Sequence, residues 1–228
     1  MEAHPFITVI IPNYNHARYL DQRIQSVLGQ TYQNFELIIL DDCSTDNSVE
    51  VIEKYRSNSQ VSHIVLNQAN SGSPFVQWIK GMELAKGDLI WIAESDDYCE
   101  PTFLEQHMNV WSGDGNFAFS YVSSINVDEL GNHIFFKPAG SQTIEFTGRE
   151  FIRKYLICSN YEVPNVSAAI FRKNLALSIC RDFMEFKAAG DRLFWIYLSE
   201  AGNICKIDKH LNYFRQHNSK VSPAKEAD

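Results

Sequence analysis

Short apolar runs alternate with helix-period patterns through the first half of the chain. Residues 6–11 are apolar and β-branched and read as a strand stopped by Pro12. Asn15 then offers a cap to a helix in which Tyr19, Leu20, Ile24, Val27 and Leu28 recur at helical spacing before Gly29. Residues 35–40 read as a second strand, Val61–Leu66 as a third and residues 88–93 as a fourth. Between them, a run of capping residues at 44–47 precedes Val49, Ile52 and Tyr55 on one helical face. Phe75, Trp78, Ile79 and Met82 line a further helix that Gly87 ends. Pro101 is expected in the first turn of the next helix, where its missing N–H costs nothing. The order β-α-β-α-β-α-β predicts an α/β fold: a mostly parallel sheet with right-handed crossovers and helices on both faces.

The pattern changes after residue 116. Residues 117–122 read as a strand, and two apolar stretches within 125–136 flank a hairpin turn at Gly131-Asn132. Residues 149–158 and 188–200 read as helices, the second carrying Leu193, Phe194, Ile196, Tyr197 and Leu198. Residues 166–171 and 204–214 read as strands, and the end from Ser219 as a solvated tail. With no repeat or linker, residues 1–228 are expected to form one domain, divided into a half at 1–115, a second at 116–218 and a tail at 219–228.

Composition narrows the function classes. The chain has 228 residues, 45% of them hydrophobic, enough for one substantial core. Its formal net charge of -8 argues against nucleic-acid binding through a broad basic surface. Cys43, Cys99, Cys158, Cys180 and Cys205 are scattered without Cys-x-x-Cys spacing and are expected to be free thiols in a reducing compartment. No run approaches the roughly 18 apolar residues of a membrane span, and residues 1–5 are too short and polar for a signal peptide. A cytoplasmic protein is expected, with peripheral contact to the inner face of a membrane left open.

The chemistry-bearing residues gather at strand ends. Asp41-Asp42 follows the second apolar run and Glu94-Ser95-Asp96-Asp97 the fourth. In parallel α/β sheets ligands bind outside the carboxyl ends of strands, so these carboxylates are candidates to hold a metal and the polar parts of a ligand. The plainer alternatives are helix capping for the first pair and a turn before Pro101 for the second. The first strand-to-helix turn, Pro12-Asn13-Tyr14-Asn15-His16, lacks Gly-x-Gly-x-x-Gly, which disfavours a dinucleotide-binding dehydrogenase. No P-loop and no Gly-x-Ser-x-Gly elbow is present.

Several motifs in order carry a family likeness. Val9-Ile10-Ile11-Pro12-Asn13-Tyr14-Asn15, Ser26-Val27-Leu28-Gly29-Gln30-Thr31-Tyr32 and the stretch from Phe35 through Asp41-Asp42-Cys43-Ser44-Thr45-Asp46 come first. Asn70-Ser71-Gly72, Ala85-Lys86-Gly87-Asp88 and Ser95-Asp96-Asp97 follow. Together they resemble the opening of family 2 inverting glycosyltransferases, and the resemblance covers residues 6–122 strongly and the remainder weakly. It implies the GT-A fold, a Rossmann-like, mostly parallel sheet with helices on both faces plus a smaller C-terminal acceptor-side portion. The 1–115 half would then bind the nucleotide-sugar.

The resemblance also implies roles. The donor would be a nucleotide-diphospho-sugar and the cofactor a divalent metal, Mn²⁺ or Mg²⁺, which neutralises the departing diphosphate. Asp97 would be the direct metal ligand, and Asp96 would contact the ribose or bridge to the metal. Glu94, an aspartate in many relatives, would stand behind them. Pro12 and Tyr14 would line the base pocket, and Asp42 would accept an N–H of the base, which favours uracil and hence a UDP-sugar. Asp191, in Gly190-Asp191-Arg192-Leu193-Phe194-Trp195, would be the general base, with Asp182 and Glu185 in reserve. The plainer alternative for Asp191 is a helix-start carboxylate favoured by the helix dipole. Arg215 would meet the phosphates and His217 the metal or diphosphate, unless both merely end a surface strand. The implied reaction is inverting transfer of one sugar to a hydroxyl acceptor, a glycan or a lipid-linked one, in surface polysaccharide assembly. A catalytically silent sugar-nucleotide-binding domain and a sugar-phosphate nucleotidyltransferase are the alternatives.

Overall fold

Strand β1 (Ile7–Asn13) lies at the centre of a parallel block, between β2 (Phe35–Asp41) and β4 (Leu89–Ile92), with β3 (Val61–Leu66) outside β2. The computed structural model describes residues 5–112, 116–140, 142–157, 163, 165–186 and 190–217. β1 to β4 are joined through helices α1 (Ala17–Leu28), α2 (Ser48–Glu53) and α3 (Pro74–Leu84). β1, β2 and β4 are buried along their whole lengths, as near-continuous apolar runs must be when helices cover both faces.

The second half extends the same sheet. After the short β5 (Tyr98–Cys99) and α4 (Phe103–Trp111) come β6 (Phe117–Val127), β7 (His133–Phe135), β8 (Thr143–Phe146) and α5 (Gly148–Phe151). They are followed by β9 (Ala169–Arg172), α6 (Lys173–Ser178), α7 (Gly190–Ala201) and β10 (Asn203–Arg215). The strand order is β3-β2-β1-β4-β9-β6-β10-β5, with β7 paired to β6 and β8 to β10. β9 runs antiparallel to both β4 and β6, and so splices the two halves into one sheet. One core face packs Leu20, Ile24, Ile52, Phe103 and Met108 against the sheet, and the other packs Trp78, Met82, Phe151, Phe194 and Leu198. Each such side chain stabilises the fold by roughly 1.5–3 kcal/mol when fully buried.

Several local expectations need correction. Pro12 does not stop β1, which runs on to Asn13. The β1–β4 ladder ends at Ile10↔Ile92, and Asn13 turns its carbonyl toward β2, where it accepts the Asp42 N–H at 2.9 Å. The neighbouring Pro12 therefore points its missing N–H to the side where no ladder remains. Asn15 does not cap α1. It sits at φ 56°, and His16 is the N-cap residue. Pro101 precedes Thr102, the N-cap of α4, rather than entering the first turn. The expected strand at 117–122 continues unbroken to Val127, so the first arm of the hairpin belongs to β6. A 3₁₀ turn at Val166–Ala168 replaces the start of the expected strand at 166–171. The short β5, β8 and α6 carry too little periodicity to be read from the sequence.

Cys43, Cys99, Cys180 and Cys205 are free thiols; Cys158 and the tail at 219–228 lie outside the described residues. Among the described residues no helix is long and apolar enough to cross a membrane.

Candidate functional site

The in-register pairs Asn13↔Asp41 and Ile10↔Ile92 bring the carboxyl ends of β1, β2 and β4 to one edge of the sheet. The segments leaving them, residues 14–16, Asp42 and residues 94–97, share that edge. Its conformation is set locally first. The Asn15 N–H donates to Ser44 Oγ at 2.9 Å, and Asn15 Oδ1 accepts the Thr45 N–H at 2.7 Å. These bonds hold Asn15 in the left-handed region, which asparagine tolerates better than most side chains. The chain is thereby turned so that His16 begins α1, whose Ala17 N–H donates to Asp46 at 2.9 Å.

Three side chains from distant parts of the sequence meet here. Asp96 Oδ2 lies 2.8 Å from His217 Nε2, and His16 Nδ1 lies 2.8 Å from Ser95 Oγ. Ligand atoms of His16, Asp96 and His217 all fall within 4.8 Å of one another. The His217 ring stands perpendicular to that of His16 at 5.4 Å and also packs 5.4 Å from Tyr19. A carboxylate and two imidazoles converging at this distance form a donor set that fits a divalent metal ion.

Asp97, the expected direct ligand, faces the other way. It is buried, and its Oδ1 accepts the Arg215 N–H at 2.9 Å. Its Oδ2 accepts from Asn165 Nδ2 and lies 3.9 Å from Arg23 Nη2. The geometry thus turns Asp96, rather than Asp97, toward the histidines. Arg215 is likewise turned inward, where the sequence suggested a phosphate contact. Its Nε donates to the Asp96 carbonyl at 2.8 Å, and Nη1 donates to the Asp128 and Glu129 carbonyls at 3.1 and 3.0 Å. Nη2 donates to Gln22 at 2.7 Å. Its guanidinium covers the Tyr19 ring at 4.5 Å, and the residue is buried. Arg215 holds the 94–97 loop in place.

Glu94 lies behind the cluster. Trp78 Nε1 donates to its Oε1 at 2.9 Å, Ser167 Oγ accepts its N–H at 3.0 Å, and Arg23 Nε donates to its carbonyl at 2.8 Å. Burial, with the negative charge of Asp96 added, pushes its carboxyl up to about 8.

At the neighbouring strand ends, Asp42 is buried and fully engaged. Its Oδ1 accepts from Asn67 at 2.7 Å and Gln77 at 2.8 Å, and its Oδ2 accepts the Ser71 hydroxyl at 2.7 Å. It ties β2 to the end of β3, the following loop and α3. Asp41 fastens its own loop through Asn13 and Ser44, each at 2.7 Å. Pro12 is buried, whereas the Tyr14 ring is exposed beside it.

Asp191 occupies the first turn of α7 and is half-buried. Gly190 sets its position: a Cβ there would lie 2.4 Å from the Phe183 carbonyl and 2.7 Å from the Phe75 ring. Phe75 meets Trp78 edge-on at 4.9 Å, and Trp78 reaches Glu94, so α7 begins on the helix that backs the acidic loop. Of the reserves, Asp182 accepts the Tyr197 hydroxyl at 2.9 Å and Glu185 is exposed. Sequence reasoning passed over His16, Ser95, Arg23 and Asn165 as site residues. His16, in the first strand-to-helix turn, and Ser95, inside the acidic cluster, carried a signal by position; Arg23 and Asn165 carried none.

Comparison with known proteins gives the family and the fold. Residues 8–177 match the family model described as glycosyl transferase family 2. An uncharacterized glycosyltransferase of Haemophilus influenzae is 38% identical over 121 residues, 50% of this chain and 48% of that one. The chondroitin synthase of Escherichia coli is 27% identical over 206 residues, covering 90% of this chain and 28% of that one. The chain thus spans less than half the length of either relative. The crystal structure of S. aureus TarS 1-349 in complex with UDP-GlcNAc shares the fold, with a TM-score of 0.74 at 22% identity over 94% of this chain and 60% of that one.

Proposed function

The chain belongs to glycosyl transferase family 2, and from that premise we propose that it transfers one sugar, with inversion, from a nucleoside diphosphate sugar to a hydroxyl acceptor. The observation that carries the reading is the Asp96–His217 pair, 2.8 Å apart at the carboxyl edge of the parallel strands. Mn²⁺ or Mg²⁺ held by Asp96 and His217 would supply Lewis-acid stabilisation to the departing diphosphate. Asp97 and Arg215 fix the loop that presents Asp96. Glu94, behind the cluster, braces the same loop through Trp78, Ser167 and Arg23.

A UDP-sugar is the favoured donor. The exposed Tyr14 ring near Pro12 offers a base-packing surface, and Asp42, just past the end of β2, would accept the uracil N3–H in exchange for one of its bonds to Asn67, Gln77 or Ser71. TarS binds a donor of this class, UDP-GlcNAc. On the acceptor side Asp191 is the general base. As the acceptor oxygen bonds to the anomeric carbon, the carbon–oxygen bond to the diphosphate breaks with its electron pair leaving on the diphosphate. The acceptor proton passes to the Asp191 carboxylate. In this reading residues 1–115 hold the donor and residues 116–218 face the acceptor, a glycan or a lipid-linked hydroxyl. The chondroitin synthase relative supports a place in polysaccharide assembly. We assign the work to the cytoplasmic side of a membrane, with peripheral contact.

The test is calorimetric titration of UDP, GDP, CDP and dTDP with and without Mn²⁺, on the parent and on Asp96→Asn. Metal-dependent binding of UDP that the substitution abolishes is expected. Failure of every diphosphate to bind would remove the reading. Product stereochemistry tests the chemistry: an α-linked donor that gave an α-linked product would exclude inversion and Asp191's role.

A further inference from the structure

We propose that His16 is a third protein ligand of the metal, so that the site is a two-histidine, one-carboxylate set that prefers Mn²⁺ and Co²⁺ to Mg²⁺. The inference rests on the functional reading above but goes beyond it, because neither that reading nor the motif analysis used His16. Three observations carry it. Ligand atoms of His16, Asp96 and His217 lie within 4.8 Å of one another, close enough for one ion to reach all three. The backbone is built to aim His16: Asn15 is kept at φ 56° by its bonds to Ser44 and Thr45, and without that turn α1 would begin in another direction. The ring is also oriented, since Nδ1 lies 2.8 Å from the hydroxyl of Ser95, itself buried. Metal-binding histidines usually spend one ring nitrogen on such an outer partner, and with Nδ1–H donated to the Ser95 hydroxyl it is Nε2 that would carry the lone pair.

Ligand chemistry then decides the ion. Mg²⁺ dehydrates reluctantly and takes oxygen ligands at near-ideal octahedral geometry, so two imidazoles add little to its binding. Imidazole nitrogen suits transition metals, with affinity rising from Mn²⁺ to Co²⁺. His217 alone gives the site one nitrogen; His16 gives it a second. Ser95 acts through His16 as a positioning residue.

The experiment uses the metals alone, without nucleotide or turnover. Mn²⁺, Co²⁺ and Mg²⁺ are titrated calorimetrically into the parent, His16→Gln, Ser95→Ala and Asp96→Asn, with thermal unfolding of each as a check on folding. Pulsed electron paramagnetic resonance of bound Mn²⁺ reads the coupled nitrogens. In the parent two imidazole nitrogens are expected, and in His16→Gln one. The Kd for Mn²⁺ and Co²⁺ should weaken about 10- to 100-fold in Ser95→Ala, which loses the outer partner of the imidazole, and at least as much in His16→Gln. The Kd for Mg²⁺ should change less than about threefold. If His16→Gln keeps the parent's affinities and nitrogen couplings while Asp96→Asn loses Mn²⁺, His16 is no ligand and the glycosyltransferase reading stands. If Asp96→Asn also binds Mn²⁺ as the parent does, both readings fall.

Discussion

The Asp97 carboxylate accepts the Arg215 backbone N–H at 2.9 Å, while the Arg215 guanidinium donates back to the Asp96 carbonyl at 2.8 Å. This exchange fastens the loop after β4 to the last residue of β10, 118 positions away in the sequence. It also separates two neighbouring aspartates by role, Asp97 holding the loop from inside and Asp96 facing the histidines.

Asp97→Ala should therefore act first on stability. Its carboxylate and the Arg23 guanidinium are both buried, at 1% and 0% exposure, and removing one charge leaves the other uncompensated. A loss of about 3–5 kcal/mol is expected. Urea unfolding with an unchanged m-value would measure it, and a loss below about 1 kcal/mol would contradict the structural role assigned to Asp97.

Asp96→Asn should do the reverse. Its side chain keeps 13% exposure and contacts His217 rather than a buried guanidinium, so the fold should lose no more than about 1 kcal/mol. Turnover should fall by about 100-fold or more, the scale on which groups that stabilise developing charge contribute. Equal stability loss in the two variants would show that the aspartates do not divide the work in this way.

For Asp191→Asn, donor affinity should stay near the parent value while kcat drops by about 10²- to 10⁴-fold. Steady-state kinetics combined with UDP titration separates the two quantities. A variant that retained full kcat would move the general base elsewhere, and Asp182 is next in line.

His107 makes the fold sensitive to acid. Its ring is buried with Nδ1 2.6 Å from Ser120 Oγ and Nε2 without a hydrogen-bond partner, and burial pushes its pKa down to about 3. The unfolded side chain titrates near the usual value of about 6.5. Above that pH both states are neutral and the native state keeps its full stability. As pH falls below it the unfolded state binds a proton that the native state refuses, so stability is lost progressively toward pH 3. His107→Gln should flatten this part of the profile between about pH 6 and about pH 4, read from urea midpoints. An unchanged slope would mean that His107 titrates normally in the fold.

Apolar runs and helical spacing determined the order of the parallel half, because each element there buries a face whose period is written in its own residues. Val61–Leu66 coincides with β3, and Phe75, Trp78, Ile79 and Met82 are the buried side of α3. The strand-end motifs likewise marked the edge where the acidic residues gather. Three things were settled only by long-range contact. β9 enters antiparallel between β4 and β6, a pairing that no local pattern encodes. Asp96 and Asp97 have the same chemistry and adjacent positions, and their facing depends on Arg215, Asn165 and Arg23 arriving from elsewhere in the chain. His16 joins His217 only because Asn15 takes a left-handed turn and β10 returns beside β6. Local periodicity reports which side of an element is buried; which side chains then meet is a property of the assembled sheet.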